Sequence, residues 1–284
     1  MTGFQPPRRL RVEHRTRFGY DRTVAASYNE CRIQPRTEPR QQILESHVAI
    51  EPCTWRYDYV DYWTTSVIAF EVRIPHDTLT VTGTTVADIA EAADPPQVDW
   101  ARLRSAQTTD AFAESLVATA RTEPVPEVVE LATEAAAGKP PHEAARAVSD
   151  AITAVMEYAP GSTGVQTFAA EAWAARRGVC QDFAHLAVGA MRSVGIPARY
   201  VSGYVQSHSG AAIGETVAGQ SHAWIEWWTG GWYGWDPTNG KPVGSAHLAV
   251  GRGRDYGDVP PVRGIVSSAG QSRLDVSVTL TRLR

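Results

Sequence analysis

The stretch Arg177-Gly178-Val179-Cys180-Gln181-Asp182-Phe183-Ala184-His185 sets one cysteine at the head of an amphipathic run, two residues after a glycine. From Phe183 the run continues through Leu186, Val188, Ala190, Met191 and Val194, a spacing that predicts a helix with one buried face. Gly178 gives the chain freedom to turn sharply before the cysteine. Cys180 is then expected in the first helical turn, among unpaired backbone N–H groups and at the positive end of the helix dipole. That setting stabilises a thiolate, the nucleophilic form, and offers donors to an oxyanion. Alone, the stretch fits a small buried thiol equally well. Two later segments tip the balance: Ser221-His222-Ala223-Trp224-Ile225-Glu226-Trp227 and Gly231-Trp232-Tyr233-Gly234-Trp235-Asp236-Pro237-Thr238. A thiol, an imidazole and a carboxylate follow one another, each in a distinctive local frame.

The surrounding chain fits a globular protein of one large or two smaller domains: 284 residues, 43% hydrophobic and 20% charged. A net charge of −4 with no basic stripe argues against a nucleic-acid or polybasic membrane surface. No apolar run reaches membrane-spanning length, and Met1–Leu10 lacks the apolar core of a secretory signal. With three cysteines, Cys31, Cys53 and Cys180, a reducing cytoplasm is the simplest expectation. Cys31 and Cys53 could meet across neighbouring strands, but two inert buried thiols are the preferred reading.

The first third reads as β structure. Leu10, Val12, His14, Thr16, Phe18 and Tyr20 alternate with Arg9, Arg11, Glu13, Arg15 and Arg17, and further strands are expected at 24–34, 42–51, 55–61, 66–74 and 77–88. Prolines and turn formers between them suggest an antiparallel sandwich. His14, His47 and His76 lack metal-ligand spacing and are read as structural or exposed. Asp94-Pro95-Pro96 marks a boundary. Helices are expected at 109–120, 125–137 and 142–158, with a short one from a Thr167 cap to Arg177. After the Cys180 helix, Gly195-Ile196-Pro197 feeds a strand at 198–206. Ser207–Gln220 reads as a mobile loop, either a lid or a hairpin tip. Strands at 222–228, 231–236 and 274–280 complete the chain.

A thiolate nucleophile needs an imidazole partner, and the imidazole needs a third group to orient it. His222 and Trp224 share a strand face, and Asp236 on the next strand of a hairpin can reach the far ring nitrogen. Trp224, Trp227, Trp228, Trp232 and Trp235 either wall the site or pack as core. Together with Gly178–His185, the segments Ala198-Arg199-Tyr200-Val201-Ser202-Gly203-Tyr204, His222-Ala223-Trp224 and Asp236-Pro237-Thr238 resemble the bacterial transglutaminase-like cysteine proteins. The late Gly253-Arg254-Asp255-Tyr256, Asp258-Val259 and Pro261-Val262-Arg263-Gly264 are similar to that family's closing signature, and the β-rich first third resembles its N-terminal domain.

The resemblance implies an α+β fold: an N-terminal antiparallel β-sandwich, 1–95, then a papain-like transglutaminase core, 96–284, with the cysteine-bearing helix packed on an antiparallel sheet. It implies Cys180 as nucleophile, His222 as base and acid, and Asp236 as orienter. Gln181, Asp182, Trp224, Asp255 and Tyr256 are candidate substrate-binding or supporting residues. Asp182 and His185 could equally pack the helix, and Asp255 and Tyr256 could equally stabilise a turn. Gln181 and Gln166 are candidate oxyanion donors; for Gln166 a solvated role is preferred. The expected reaction is acyl transfer on an amide through a Cys180 thioester. Water as second nucleophile gives hydrolysis, the preferred reading, and a primary amine gives transamidation. A noncatalytic binding module on the same fold is the remaining alternative, as is a docking role for the N-terminal sandwich. The expected partner is a peptide or protein substrate, without nucleic acid or membrane. No cofactor is expected, and no metal, since no His-x-x-x-His or Cys-x-x-Cys spacing occurs.

Overall fold

A computed structural model describes residues 6–92, 94, 96–206, 212–267 and 270–284, and the alternating pattern of the first ninety residues is sheet. The strands are β1 (Arg8–Val24), β2 (Ser27–Cys31), β3 (Gln41–Glu51), β4 (Trp55–Val60), β5 (Ser66–Val72) and β6 (His76–Ile89). Along β1, Leu10, Val12, His14 and Thr16 are buried while Arg11, Glu13, Arg15 and Arg17 face water, the period of a strand covered on one side.

The helical third is more broken than its alanine content predicts. In place of one helix at 109–120 there are α1 (Trp100–Leu103), α2 (Ala106–Ala111) and α3 (Ala113–Leu116). Ser105 starts α2 early by accepting from the Thr108 N–H. Phe112 then leaves helical geometry, and its ring packs on Trp228 and Trp232 at 4.7 and 5.5 Å. Helices α4 (Pro126–Ala136) and α5 (Pro141–Val155) each begin on a proline, where the missing N–H leaves nothing unpaired. Their buried stripes, Val128 and Ala132, then Ala144, Ala145, Val148 and Ile152, meet in the main core.

The chain then forms β7 (Glu157–Tyr158), α6 (Ala169–Ala175), β8 (Arg177–Gly178) and α7 (Cys180–Ser193). The cap of α6 is Phe168, whose N–H donates to the Glu171 carboxylate at 2.8 Å; the Thr167 hydroxyl instead accepts from Gly164 N–H. Every residue of α7 from Gln181 to Arg192 is buried, not one face only. The helix runs through the middle of the unit, against α4, α5 and α6 on one side and sheet on the other. Its small residues Ala184, Ala187, Gly189 and Ala190 permit this; a Cβ on Gly189 would strike the Thr122 carbonyl.

The remaining strands are β9 (Ala198–Val205), β10 (Thr216–Gly219), β11 (Ser221–Trp228), β12 (Trp232–Asp236), β13 (Lys241–Pro242), β14 (His247–Gly253), β15 (Val262–Val266) and β16 (Ser272–Arg282). One sheet, β13-β12-β11-β9-β14, carries α7. Two others, β10-β16-β1-β6-β3 and β15-β2-β5-β4, make the sandwich, with Cys31, Ile68, Phe70, Leu79 and Val81 between them. The fold is thus α+β, with largely antiparallel sheets; the short parallel pair is β7–β8.

The division expected at 95/96 does not follow the hydrogen bonding. Strand β16 pairs with β1 along eleven register positions from Leu10↔Arg282 to Tyr20↔Ser272, and β15 pairs with β2. The sandwich therefore holds residues 8–89 together with 262–282. The alternating apolar positions of β16 share parity with those of β1, so both supply the same buried face. At one end of that face Leu10, Val12, Ala87, Ile89 and Leu280 pack directly on Tyr204, Leu248 and Val250 of the other sheet. Polar links reinforce the joint: the Gln41 amide bridges the Ala249 N–H and C=O at 2.9 and 2.8 Å, and Arg252 joins Glu38 to Glu226.

The expected loop Ser207–Gln220 lies partly outside the described residues, at 207–211; its later part forms β10 on the edge of β16. Cys31 is buried, and burial pushes its thiol up to about 12. Cys53, expected to be buried, is exposed and its thiol donates to the Trp55 carbonyl.

Candidate active site

Cys180 is the first residue of α7, so its N–H has no intrahelical acceptor. The sharp turn that delivers it falls at Arg176, which takes a left-handed φ of 53°, rather than at Gly178. Gly178 is required for a different reason: a Cβ there would sit 2.7 Å from the Asp182 side chain. That close approach lets Asp182 Oδ2 accept from Val179 N–H at 2.7 Å and from the Thr163 hydroxyl at 2.5 Å, which closes the N-terminus of the helix. Burial raises the Asp182 carboxyl, and these two donors oppose it. The β7–β8 pair, with Tyr158 opposite Gly178, fixes the approach from the other side.

His222 lies on β11 and Asp236 ends β12. His222 Nε2 lies 2.8 Å from Asp236 Oδ2, and Cys180 lines the same cleft as His222. With Nε2 committed to the carboxylate, Nδ1 is the nitrogen left for sulfur. Burial disfavours the charged ring, but the bonded Asp236 carboxylate and the nearby Cys180 sulfur outweigh it and push His222 up to about 9. Asp236 is fully buried. Burial alone would raise its carboxyl; the donors from His222, His247 and Asn239 hold it well below the usual carboxylate range.

The second imidazole on Asp236 carries no sequence signal. His247 opens β14 and its Nε2 lies 3.3 Å from Asp236 Oδ2. The Gly244 N–H donates to His247 Nδ1, so the ring proton resides on Nε2 and points at the carboxylate. Burial lowers the His247 pKa, which keeps this ring neutral. Asn239 adds its side-chain amide at 2.7 Å and its backbone N–H at 3.1 Å. An asparagine three residues after an aspartate, past a proline, is a turn signature that could have been read.

The transglutaminase-like superfamily matches residues 129–237, and the bacterial transglutaminase-like N-terminal region matches residues 10–88. An uncharacterized protein of Mycobacterium leprae is 43% identical over 277 residues, 97% of this chain and 99% of its own. The chain belongs to the bacterial transglutaminase-like family. An uncharacterized Mycobacterium tuberculosis protein is 34% identical to this transglutaminase-like chain over 95% of it and 91% of its own length. A crystal structure from Cytophaga hutchinsonii, provisionally described as a cysteine protease, shares the fold with a TM-score of 0.78 at 19% identity, over 99% of this chain and 92% of that one. Membership places the protein among the cysteine-enzyme kind.

The other candidate residues of this transglutaminase-like site separate into groups. Gln181 and Tyr256 line the cleft in front of Cys180, a space of about 530 Å³. Trp224 does not line it; its ring packs beneath His222 and His247, at 6.3 and 5.4 Å between centroids. Of the two readings of the tryptophans, packing is the one observed: Trp224, Trp227 and Trp235 are core, and Trp228 and Trp232 pack on Phe112. Asp255 accepts from Gly257 N–H at 2.6 Å and starts a single 3-10 turn. His185, buried in α7, accepts from Tyr256 N–H at 3.1 Å and so ties that turn to the helix; burial drives its pKa down to about 3. Gln166 is bound by Arg121 at 2.6 Å. The cleft is also walled by residues the sequence did not place there: Tyr158 and Tyr200 on the α7 side, and His14, Thr16 and Phe18 of β1 opposite.

Proposed function

We propose that the protein is a cysteine-dependent hydrolase of peptide or side-chain amides. One observation carries the reading: His222 shares a cleft with Cys180 and is held through Nε2 on a buried, multiply donated Asp236, which leaves Nδ1 for the sulfur. In the proposed cycle the Cys180 sulfur attacks the amide carbonyl, and the oxyanion takes a hydrogen bond from the Cys180 N–H, with the Gln181 amide alongside. His222 gives its proton to the departing amine, which leaves a thioester on Cys180. His222 then draws a proton from water, the hydroxide adds to the thioester, and collapse releases the acid and expels the Cys180 thiolate beside the again protonated His222. Asp236 supports the imidazolium throughout without changing its own charge.

Water is favoured over an amine as second nucleophile by the chemistry of the cleft. Among its described lining residues there is no Asp or Glu to gather an ammonium group. Transamidation of glutamine is the competing outcome. The test is mass spectrometry of a diverse peptide mixture incubated with the protein, with and without a primary amine, beside Cys180→Ala. Cleaved or deamidated peptides that vanish with Cys180→Ala are expected. Amine adducts on glutamine would replace hydrolysis by transamidation, and no Cys180-dependent change would return the protein to a binding role.

A further inference from the structure

Three cross-strand pairs on one face of the five-stranded sheet look across the cleft at Cys180. They are His14 with Val278, Thr16 with Val276, and Phe18 with Leu274. The row is graded. His14 and Val278 are buried, and His14 is locked between the Tyr204 hydroxyl at 2.8 Å and the Thr16 hydroxyl at 3.0 Å. Val276 and Leu274 belong to the same face, yet they are 52% and 55% exposed. An inward face that turns apolar and open where it passes a nucleophile is a contact surface without its occupant. Val262 and Pro261 extend it along one side.

The opposite wall and rim are polar but neutral, with Gln181, Ser202, Gln220 and Ser221. Among the described lining residues there is no Asp, Glu, Lys or Arg. Neutral donors and acceptors facing an apolar strip suit an extended peptide, whose amides are neutral and whose side chains alternate. We propose that Val276, Leu274 and Phe18 form a specificity subsite that takes an apolar side chain next to the reacting amide of a peptide donor. A charged side chain there would lose water and gain no partner. The proposal rests on Cys180 being the nucleophile and adds which donors it accepts. It also gives the N-terminal β unit a direct part in substrate choice, in place of a recruiting role.

The test uses the full chain and competes three alkylating reagents for its cysteines: N-benzyl iodoacetamide, iodoacetamide and iodoacetate. Labelling is read peptide by peptide in the mass spectrometer, with exposed Cys53 as the internal reference. Relative to Cys53, Cys180 should prefer the benzyl reagent over iodoacetamide by roughly 10-fold or more, within the range one apolar group confers in such a pocket; iodoacetate, which the His222 imidazolium attracts, reports the charge beside the sulfur separately. Leu274→Asp and Val276→Asp should each cut the benzyl preference about tenfold, and neutral Val276→Ser severalfold. Ile265→Asp, which adds the same charge on β15 outside the cleft lining, should not change it. An equal preference at Cys180 and Cys53, or a preference unmoved by all three wall variants, overturns the subsite. Cys180 reacting no faster than Cys53 with every reagent, the small iodoacetamide included, overturns the nucleophile assignment and the subsite with it.

Discussion

Asp236 is the residue on which the site's protonation depends. It is a buried anion that three neighbours donate to, and one of them, His222, is held protonated up to about 9. A histidine raised above its ordinary 6.5 stabilises the fold fully below that value and loses the contribution as pH rises through about 9. In the proposed cycle the same proton is the one delivered to the leaving amine. The rate of amide turnover should therefore hold to near pH 9 and fall above it. Asp236→Asn removes the anion, so the falling limb should move down toward 6.5, with a loss of activity on the order of 10²- to 10⁴-fold. A pH–rate profile of both proteins checks this; an unmoved limb would detach His222 from the chemistry. Cys180, His222 and Asp236 were legible because each stands in a strong local frame. His247 was not, because its partner is eleven residues away with a turn and β13 between, and no periodicity links them.

Among the elements, α7 shows how local pattern and packing diverge. The apolar spacing predicts one buried face, but the helix is covered all round, because its alanines and glycine let α4, α5 and the sheet close on every side. Its N-terminus was placed correctly in the sequence and explained wrongly. Gly178 serves the approach of Asp182, not an unusual backbone angle. Gly178→Ala should thus displace the Asp182 carboxylate from Val179 and Thr163, at a cost of about 1–2 kcal/mol. Chemical denaturation measures it; a loss below about 0.5 kcal/mol, the scatter of neutral surface changes, would show that the helix start tolerates the methyl. The broken helices between 100 and 116 were not legible, since Phe112 abandons helical geometry for contacts with Trp228 and Trp232, more than a hundred residues on.

At the scale of the molecule, the sequence marks a boundary at Asp94-Pro95-Pro96 but gives no sign that the chain returns across it. Alternation in β16 predicts a strand and its inward parity, while its partner is decided by tertiary pairing with β1, some 260 residues earlier. This makes the two units interdependent. A chain truncated to residues 96–284 would leave β15 and β16 without β2 and β1, and would uncover Tyr204, Leu248 and Val250. Such a chain should be aggregation-prone and lack Cys180-dependent turnover. Size-exclusion chromatography and the peptide assay check both, and a monomeric, fully active truncation would mean that the sandwich only recruits.

The pairing of β16 with β1 also orders events in time. A ribosome delivers β1 first and β16 last among the described strands, with α7, β11 and β12 between them. While β1 still lacks β16, the wall opposite Cys180 is without Leu274, Val276 and Val278. The wall that would seat a substrate is completed only after α7, β11 and β12 have been made. Until then a finished helix faces an unfinished cleft, so the order of synthesis sets when the proposed site is complete.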